Sequence, residues 1–330
     1  MLMPPEGYEL LLKYELDKRI MLGQRGECRY CRKKVGEVSF RKTAHSLPEL
    51  IGNKFLFSND ECDECNSYFD KTLENNLANF LGIARTTTKV QGKKGVPKVK
   101  TVSNERVEMH GNDMMIIEAY DSDMVRLSED KTDLLITTTT NSYIPLQVYK
   151  CFMKMALAIL PASEIKSYKQ CFEWVRHNKR PARFNVDLFK VVRAFIPGPM
   201  PYTNAWISLF KRKGSSKKDP HLSCAVGFNN FVFYFSVPFC SKDKFLDYKK
   251  MNQLSIPHAF GLARQRGRSV AEEVDLSSSI AIRVKDQSSM RSDGAWIEVK
   301  AEDLPDSLKE RIKELKFILP GEDNSPSDPR

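Results

Sequence analysis

Two short cysteine pairs constrain this chain more than any other feature. Cys28 and Cys31 form one CxxC turn, and Cys62 and Cys65 form a second. Each turn presents two thiolates from one backbone corner, and two turns together supply a tetrahedral zinc site. Two independent redox pairs are the alternative, but such pairs sit beside a βαβ pattern that this sequence lacks. Thirty residues separate Cys31 from Cys62, more than a bare zinc ribbon needs, so the insert must build something of its own. The other four cysteines, Cys151, Cys171, Cys224 and Cys240, lie among apolar neighbours and read as buried free thiols.

Around the cysteines the pattern predicts an α+β chain. Residues 8–22 read as a helix from Leu11, Leu12, Leu16 and Ile20, ended by Gly23 and Gly26. Strand-like pieces occur at Gly36–Phe40 and Lys54–Phe57. A helix is expected from near Asn66, with Phe69, Leu73, Leu77 and Phe80 as its apolar stripe and Gly82 as its stop. The Gly/Lys/Pro composition of residues 91–98 predicts a boundary near 85–95. Beyond it, Arg106–Met109, Met114–Ala119 and Leu134–Thr140 read as strands, and VYKCFMKMALAILP as a buried helix stopped at Pro161. Residues 162–177 predict a second helix. From Ala205 the runs WISLF, SCAVGF, NFVFYFSVPF and SIAIRV predict an antiparallel sheet, then residues 303–318 a terminal helix. The expected division is 1–90, a basic linker or hairpin 91–104, a larger α+β domain 105–320, and a disordered tail 321–330.

Charge narrows the partners. The 330 residues carry a formal net charge of +10, which favours a polyanion. The excess is clustered. Residues 85–100 hold six basic side chains and no acidic one, and further clusters lie at 176–183, 211–218 and 264–268. Together with the cysteine pairs they point to nucleic acid. No apolar run approaches the ~20 residues that span a bilayer, so no membrane role is expected. The start lacks the basic-then-apolar order of a signal peptide, and a cytoplasmic location is the expectation.

The order Cys28/Cys31, His45, Pro48, Gly52, Asn59, Cys62/Cys65 and Asn66 resembles the HNH endonucleases of the cysteine-containing, ββα-metal type. The resemblance covers residues 26–82. It implies a structural zinc on the four cysteines and a separate catalytic Mg²⁺ or Mn²⁺. It makes His45 the general base, Asn59 the residue that orients the histidine or shapes the loop, and Asn66 a holder of the catalytic cation. The family often places Asp beside the histidine, where this chain has Ala44. Another carboxylate must then serve. Asp70 and Glu74 come after Asn66 at successive helical turns and share its face, and Asp60 and Glu61 are further candidates. The implied activity is hydrolysis of DNA, with RNA as another substrate to test. Genome defence or restriction is the implied setting, with a homodimer or a defence-system partner as implied assemblies. Two other readings stand beside it: a non-catalytic, zinc-dependent nucleic-acid-binding protein with a decayed site, and a zinc adaptor for other proteins.

Overall fold

A computed structural model describes residues 4–101, 105–111, 113–118, 122–130, 132–181, 189–198, 200–216, 218–246 and 270–291, with Asp306 and Lys309. The cluster at 264–268, most of the expected terminal helix and the tail lie outside the described residues.

The largest sheet runs in the order β1 (Tyr8–Glu15), β11 (Tyr202–Arg212), β12 (Leu222–Asn229), β13 (Phe231–Val237), β10 (Lys190–Phe195) and β14 (Val270–Asp275), antiparallel throughout. The helix expected over 8–22 is therefore corrected to β1 and a short strand β2 (Ile20–Leu22). The cause is a bulge. Leu10 pairs with Phe210 and Leu12 with Leu209, which leaves Leu11 as an extra residue. The bulge breaks the period-two alternation and leaves three consecutive leucines that mimic a helical face. SIAIRV is also not a strand. Only Ile282 makes an isolated bridge there, to Tyr143, and the next residues form β15 (Lys285–Arg291).

One face of the large sheet is covered by helices. The long helix α4 (Pro145–Ala158) is buried along almost its whole length, as its run of Met, Cys and Phe predicts. Phe152 packs at a tilt against Phe233 and Phe235 with ring centroids 4.9 and 5.2 Å apart. The chain then turns through α5 (Ala162–Ile165) and α6 (Lys169–His177), the second helix expected at 162–177. The cysteine-bearing segment packs on the same core. Its helix begins as α1 (Asp63–Phe69), widens into a π turn at Asp70–Glu74 and continues as α2 (Asn75–Leu81). Phe69, Leu73, Leu77 and Phe80 are buried as the stripe predicts, and the helix stops at Gly82. A short helix α3 (Ala84–Thr87) comes next.

One apolar cluster joins Leu16, Phe69, Leu77, Phe152, Phe233 and Leu276, so the core crosses position 90 without a break. Each large side chain fully buried there contributes roughly 1.5–3 kcal/mol. Two small sheets flank this core. One holds β5 (Val99–Lys100), β6 (Arg106–His110) and β7 (Asp113–Ile117); the other holds β8 (Val125–Leu127), β9 (Asp133–Thr139) and β15. Among the described residues, no helix is long and apolar enough to cross a membrane.

Candidate active site

The cysteine segment forms a small sheet in the order β2, β4 (Leu56–Ser58), β3 (Ala44–His45), with α1 after it in the chain. Gly36–Phe40, expected as a strand, is a loop with isolated bridges at Val35 and Val38. Asp63, at the start of α1, ties down the end of that loop. Its carboxylate accepts from the Ser39 hydroxyl at 2.6 Å and from the backbone N–H groups of Arg41 and Lys42, which holds its pKa below the usual carboxylate value. These bonds anchor the chain as it enters β3.

The four cysteine sulfurs come together within 4.8 Å of one another, with Cys31 Sγ and Cys62 Sγ 3.8 Å apart. Four Zn–S bonds of about 2.3 Å place sulfurs about 3.8 Å apart, so the donor set and its size fit a structural zinc. The Arg176 guanidinium donates to Cys65 Sγ at 3.1 Å and lies 4.7 Å from the Tyr68 ring. By sequence Arg176 belongs to a basic surface cluster; in the fold it supports a thiolate ligand, as outer-shell partners do. Arg29, between the first two cysteines, pairs with Asp60 at 2.8 Å and donates to the carbonyls of Leu157, Ala158 and Leu160. Those carbonyls lie at and just beyond the C-terminal end of α4, where a cation also complements the helix dipole.

His45 lies on β3 opposite Phe57, with ring centroids 4.8 Å apart. It opens on a cavity of about 830 Å³ that Asn66, Asp70 and Glu74 also line. Burial holds the His45 pKa below the usual histidine value; Glu49 opposes the shift, and Lys154, Lys54 and Lys93 add to it. The imidazole is therefore neutral at pH 7 and able to accept a proton. Asp70 and Glu74 bound the π turn, where Asn75 N–H donates to Asp70 O across five residues. Such a turn locally re-aims the helix surface. Glu74 is mostly buried, and burial raises its pKa.

The other expectations fare differently. Asn59 does not line this cavity; its amide lies 3.5 Å from the Gly23 carbonyl. The loop between β3 and β4 is instead shaped by buried Asn53. Its amide donates to Leu47 O and Leu56 O, and its carbonyl accepts from Phe55 N and Leu56 N. Gly52, at φ 88°, provides the left-handed turn just before it. Asp60 and Glu61 are used elsewhere, on Arg29 and on Lys154. Ala44 is 1% exposed and absent from the cavity wall, whereas Thr43 and His45 line it.

Lys154 escapes a reading of the sequence. It sits on α4 with no exposed surface, yet its ammonium donates to His45 O at 2.5 Å. It also lies 3.4 Å from Glu61 and 3.9 Å from Glu74. Burial lowers its pKa, but the two carboxylates outweigh this and raise it overall, so it is charged. Its only sequence signal is a lysine inside an otherwise apolar helix.

No curated protein and no solved structure matched the chain. Residues 28–81 match the HNH endonuclease family, over the segment that holds all four sulfurs, His45 and the helix from Asp63. This chain carries an HNH-family domain at residues 28–81, with a cysteine cluster suited to a metal and a larger mixed α+β region packed around it.

Proposed function

We propose that this protein is a metal-dependent HNH nuclease that hydrolyses phosphodiester bonds in DNA. The observation that carries the reading is the single cavity shared by a neutral imidazole, His45, and the oxygen donors Asn66, Asp70 and Glu74. His45 takes the proton from the attacking water. Asn66, Asp70 and Glu74 offer an all-oxygen donor set that suits Mg²⁺ or Mn²⁺ rather than zinc. A cation held there supplies positive charge to the phosphate oxygens and the departing 3′ oxygen. The four cysteines keep their zinc apart from this chemistry, as a structural site. Lys42, Lys71 and Lys93 on the cavity wall supply attraction for the substrate phosphates.

Asn66, Asp70 and Glu74 lie on the helix and share the cavity with His45, which supports their assignment as the cation donors. Ala44 packs inward, so the missing acidic neighbour leaves the helix carboxylates to balance the cation's charge. The test is a metal-screened cleavage assay on supercoiled and linear DNA, with His45→Ala beside the parent. The expected result is cleavage with Mg²⁺ or Mn²⁺ that His45→Ala abolishes while DNA binding persists. Unchanged cleavage by that variant removes His45 as the base. No cleavage by the parent with any divalent cation rejects the nuclease reading.

A further inference from the structure

The His45 cavity is not closed at its far end. A smaller space of about 120 Å³ shares Ala78 and Arg85 with it. That space in turn shares Lys100 and the run Thr138–Asn141 with a third cavity of about 480 Å³ beside β8, β9 and β15. Through these shared walls the three cavities follow one another from the histidine onto a sheet outside the matched residues 28–81, and we read them as one trough.

Arg85 stands at the waist. Its Nε is buried with no hydrogen-bond partner, and among the described residues no carboxylate pairs with its guanidinium. A buried guanidinium N–H without a partner is costly, and a ligand phosphate is the group that a guanidinium fits best. Burial lowers its pKa, consistent with a cation that lacks a partner. The lack of a side chain at Gly92 leaves it room: a Cβ there would lie 3.4 Å from Arg85 Nη2. Among the described residues no carboxylate lines the waist. Farther along, Lys100, Arg126, Arg283 and Lys285 line the third cavity and outnumber its two carboxylates, Glu105 and Asp123. Backbone pairing of Lys285 with Thr139 places that lysine beside the threonine on the sheet face.

A free phosphate or a mononucleotide would fill one end of such a trough. A chain of phosphates would use all of it. Among the described residues the second and third cavities are lined by cations, threonines and other non-aromatic side chains, which offer contacts to phosphate. Recognition then rests on the backbone and is sequence-independent.

We propose that the nucleic-acid strand held at His45 continues past Arg85, which clamps one of its phosphates, into the trough bounded by Lys100, Arg283 and Lys285. This rests on the nuclease reading for the strand's starting point, but its test is a binding measurement. In a His45→Ala background, anisotropy is measured on a fluorescent 20-mer and a trimer of the same sequence, as DNA and as RNA. Arg85→Gln should weaken 20-mer binding about tenfold and lower the salt slope by about one. The triple variant Lys100→Gln/Arg283→Gln/Lys285→Gln should weaken the 20-mer and leave the trimer unchanged. Arg85→Lys keeps the charge, so it should keep the salt slope and lose part of the affinity. Lys100, Arg283 and Lys285 are exposed, Arg85 is half-buried, and far-UV circular dichroism checks the fold of each variant. Parent-like 20-mer affinity and salt slope in both Arg85→Gln and the triple variant overturn the proposal, even where the parent cleaves DNA. The expected binding losses in a protein that never cleaves sustain the trough and sink the nuclease reading instead. Comparing the DNA and RNA arms identifies which backbone the trough carries.

Discussion

Helix α4 buries two lysines one turn apart, and the two ends of that turn are built differently. Lys154 faces the HNH segment and meets two carboxylates and two carbonyl oxygens. Lys150 faces α6. Its ammonium lies 4.9 Å from the centre of the Trp174 ring and donates to Asn178 Oδ1. Among the described residues no carboxylate pairs with it, and the neighbouring Cys171 thiol is kept protonated by burial. The consequence is opposite in sign. Burial brings Lys150 down to about 8, while the carboxylates hold Lys154 above the ordinary lysine value. A buried lysine beside acids fixes geometry; one beside an aromatic face mostly costs stability. The compensated charge thus lies on the side of the fold that carries the candidate site.

Breaking the Lys154 side should give the largest effect. Lys154→Met removes the cation that Glu61 and Glu74 share; burial already raises Glu61 to about 7 and Glu74 above the usual value, so without the lysine each must take up a proton or remain charged and uncompensated. Loss of one partner from a buried pair costs about 3–5 kcal/mol. Chemical denaturation should show a fall in unfolding free energy of that size, and cleavage should be lost with it. A stability equal to the parent's would mean that Lys154 balances nothing.

A second variant separates balance from positioning. Lys154→Met with Glu61→Gln removes the cation and one anion together, which offsets most of the stability loss. The hydrogen bond to the His45 carbonyl remains broken. Stability should recover to within about 1 kcal/mol of the parent. Cleavage should stay depressed about tenfold or more, in kcat rather than KM, because small misplacements of a base are expensive. Recovery of both properties would reduce Lys154 to a counter-charge.

These contacts show where a sequence can be read and where it cannot. The cysteine pairs, His45, Asn66 and the stripe from Phe69 to Phe80 all lie within 55 residues, and local spacing carries them. α4 is legible because its apolar period is unbroken. The supports of the site are not legible: Lys154 meets His45 across 109 residues, Arg176 meets Cys65 across 111, and Arg29 caps α4 across more than 120. Nothing in spacing announces such pairs, although a lysine in an apolar helix and an arginine inside a CxxC turn are flags. Asn53 has a readable signal, since Gly-Asn after Pro48 marks a turn. β1 misleads for a local reason, the extra Leu11. β10 is hidden because KVVRAF, buried on both faces, has too little alternation to stand out from its basic surroundings.

The smallest effect should come from the Lys150 side, and it should have the opposite sign. Lys150→Met keeps the length and apolar stem of the side chain and removes a charge that burial disfavours. The cation–π contact with Trp174 and the hydrogen bond to Asn178 are lost, so the gain is less than the pKa shift alone implies. A stabilisation of about 1–3 kcal/mol at pH 7 is expected. The pH dependence identifies its origin. The folded pKa near 8 lies below the lysine value of 10.5, so between those limits the unfolded chain binds more protons than the folded one. Stability of the parent attributable to Lys150 therefore rises as pH climbs from about 8 to about 10.5, while the methionine variant has no such term. The difference in unfolding free energy should be largest at pH 7, shrink through that window, and change no further above it. Urea denaturation of both proteins from pH 7 to pH 10.5 reads it directly. A gap that stays constant across the window would trace the gain to packing. A parent more stable than the variant at pH 7 would show that Trp174 and Asn178 compensate the ammonium as fully as Glu61 and Glu74 compensate Lys154, and the contrast between the two ends of the turn would be lost.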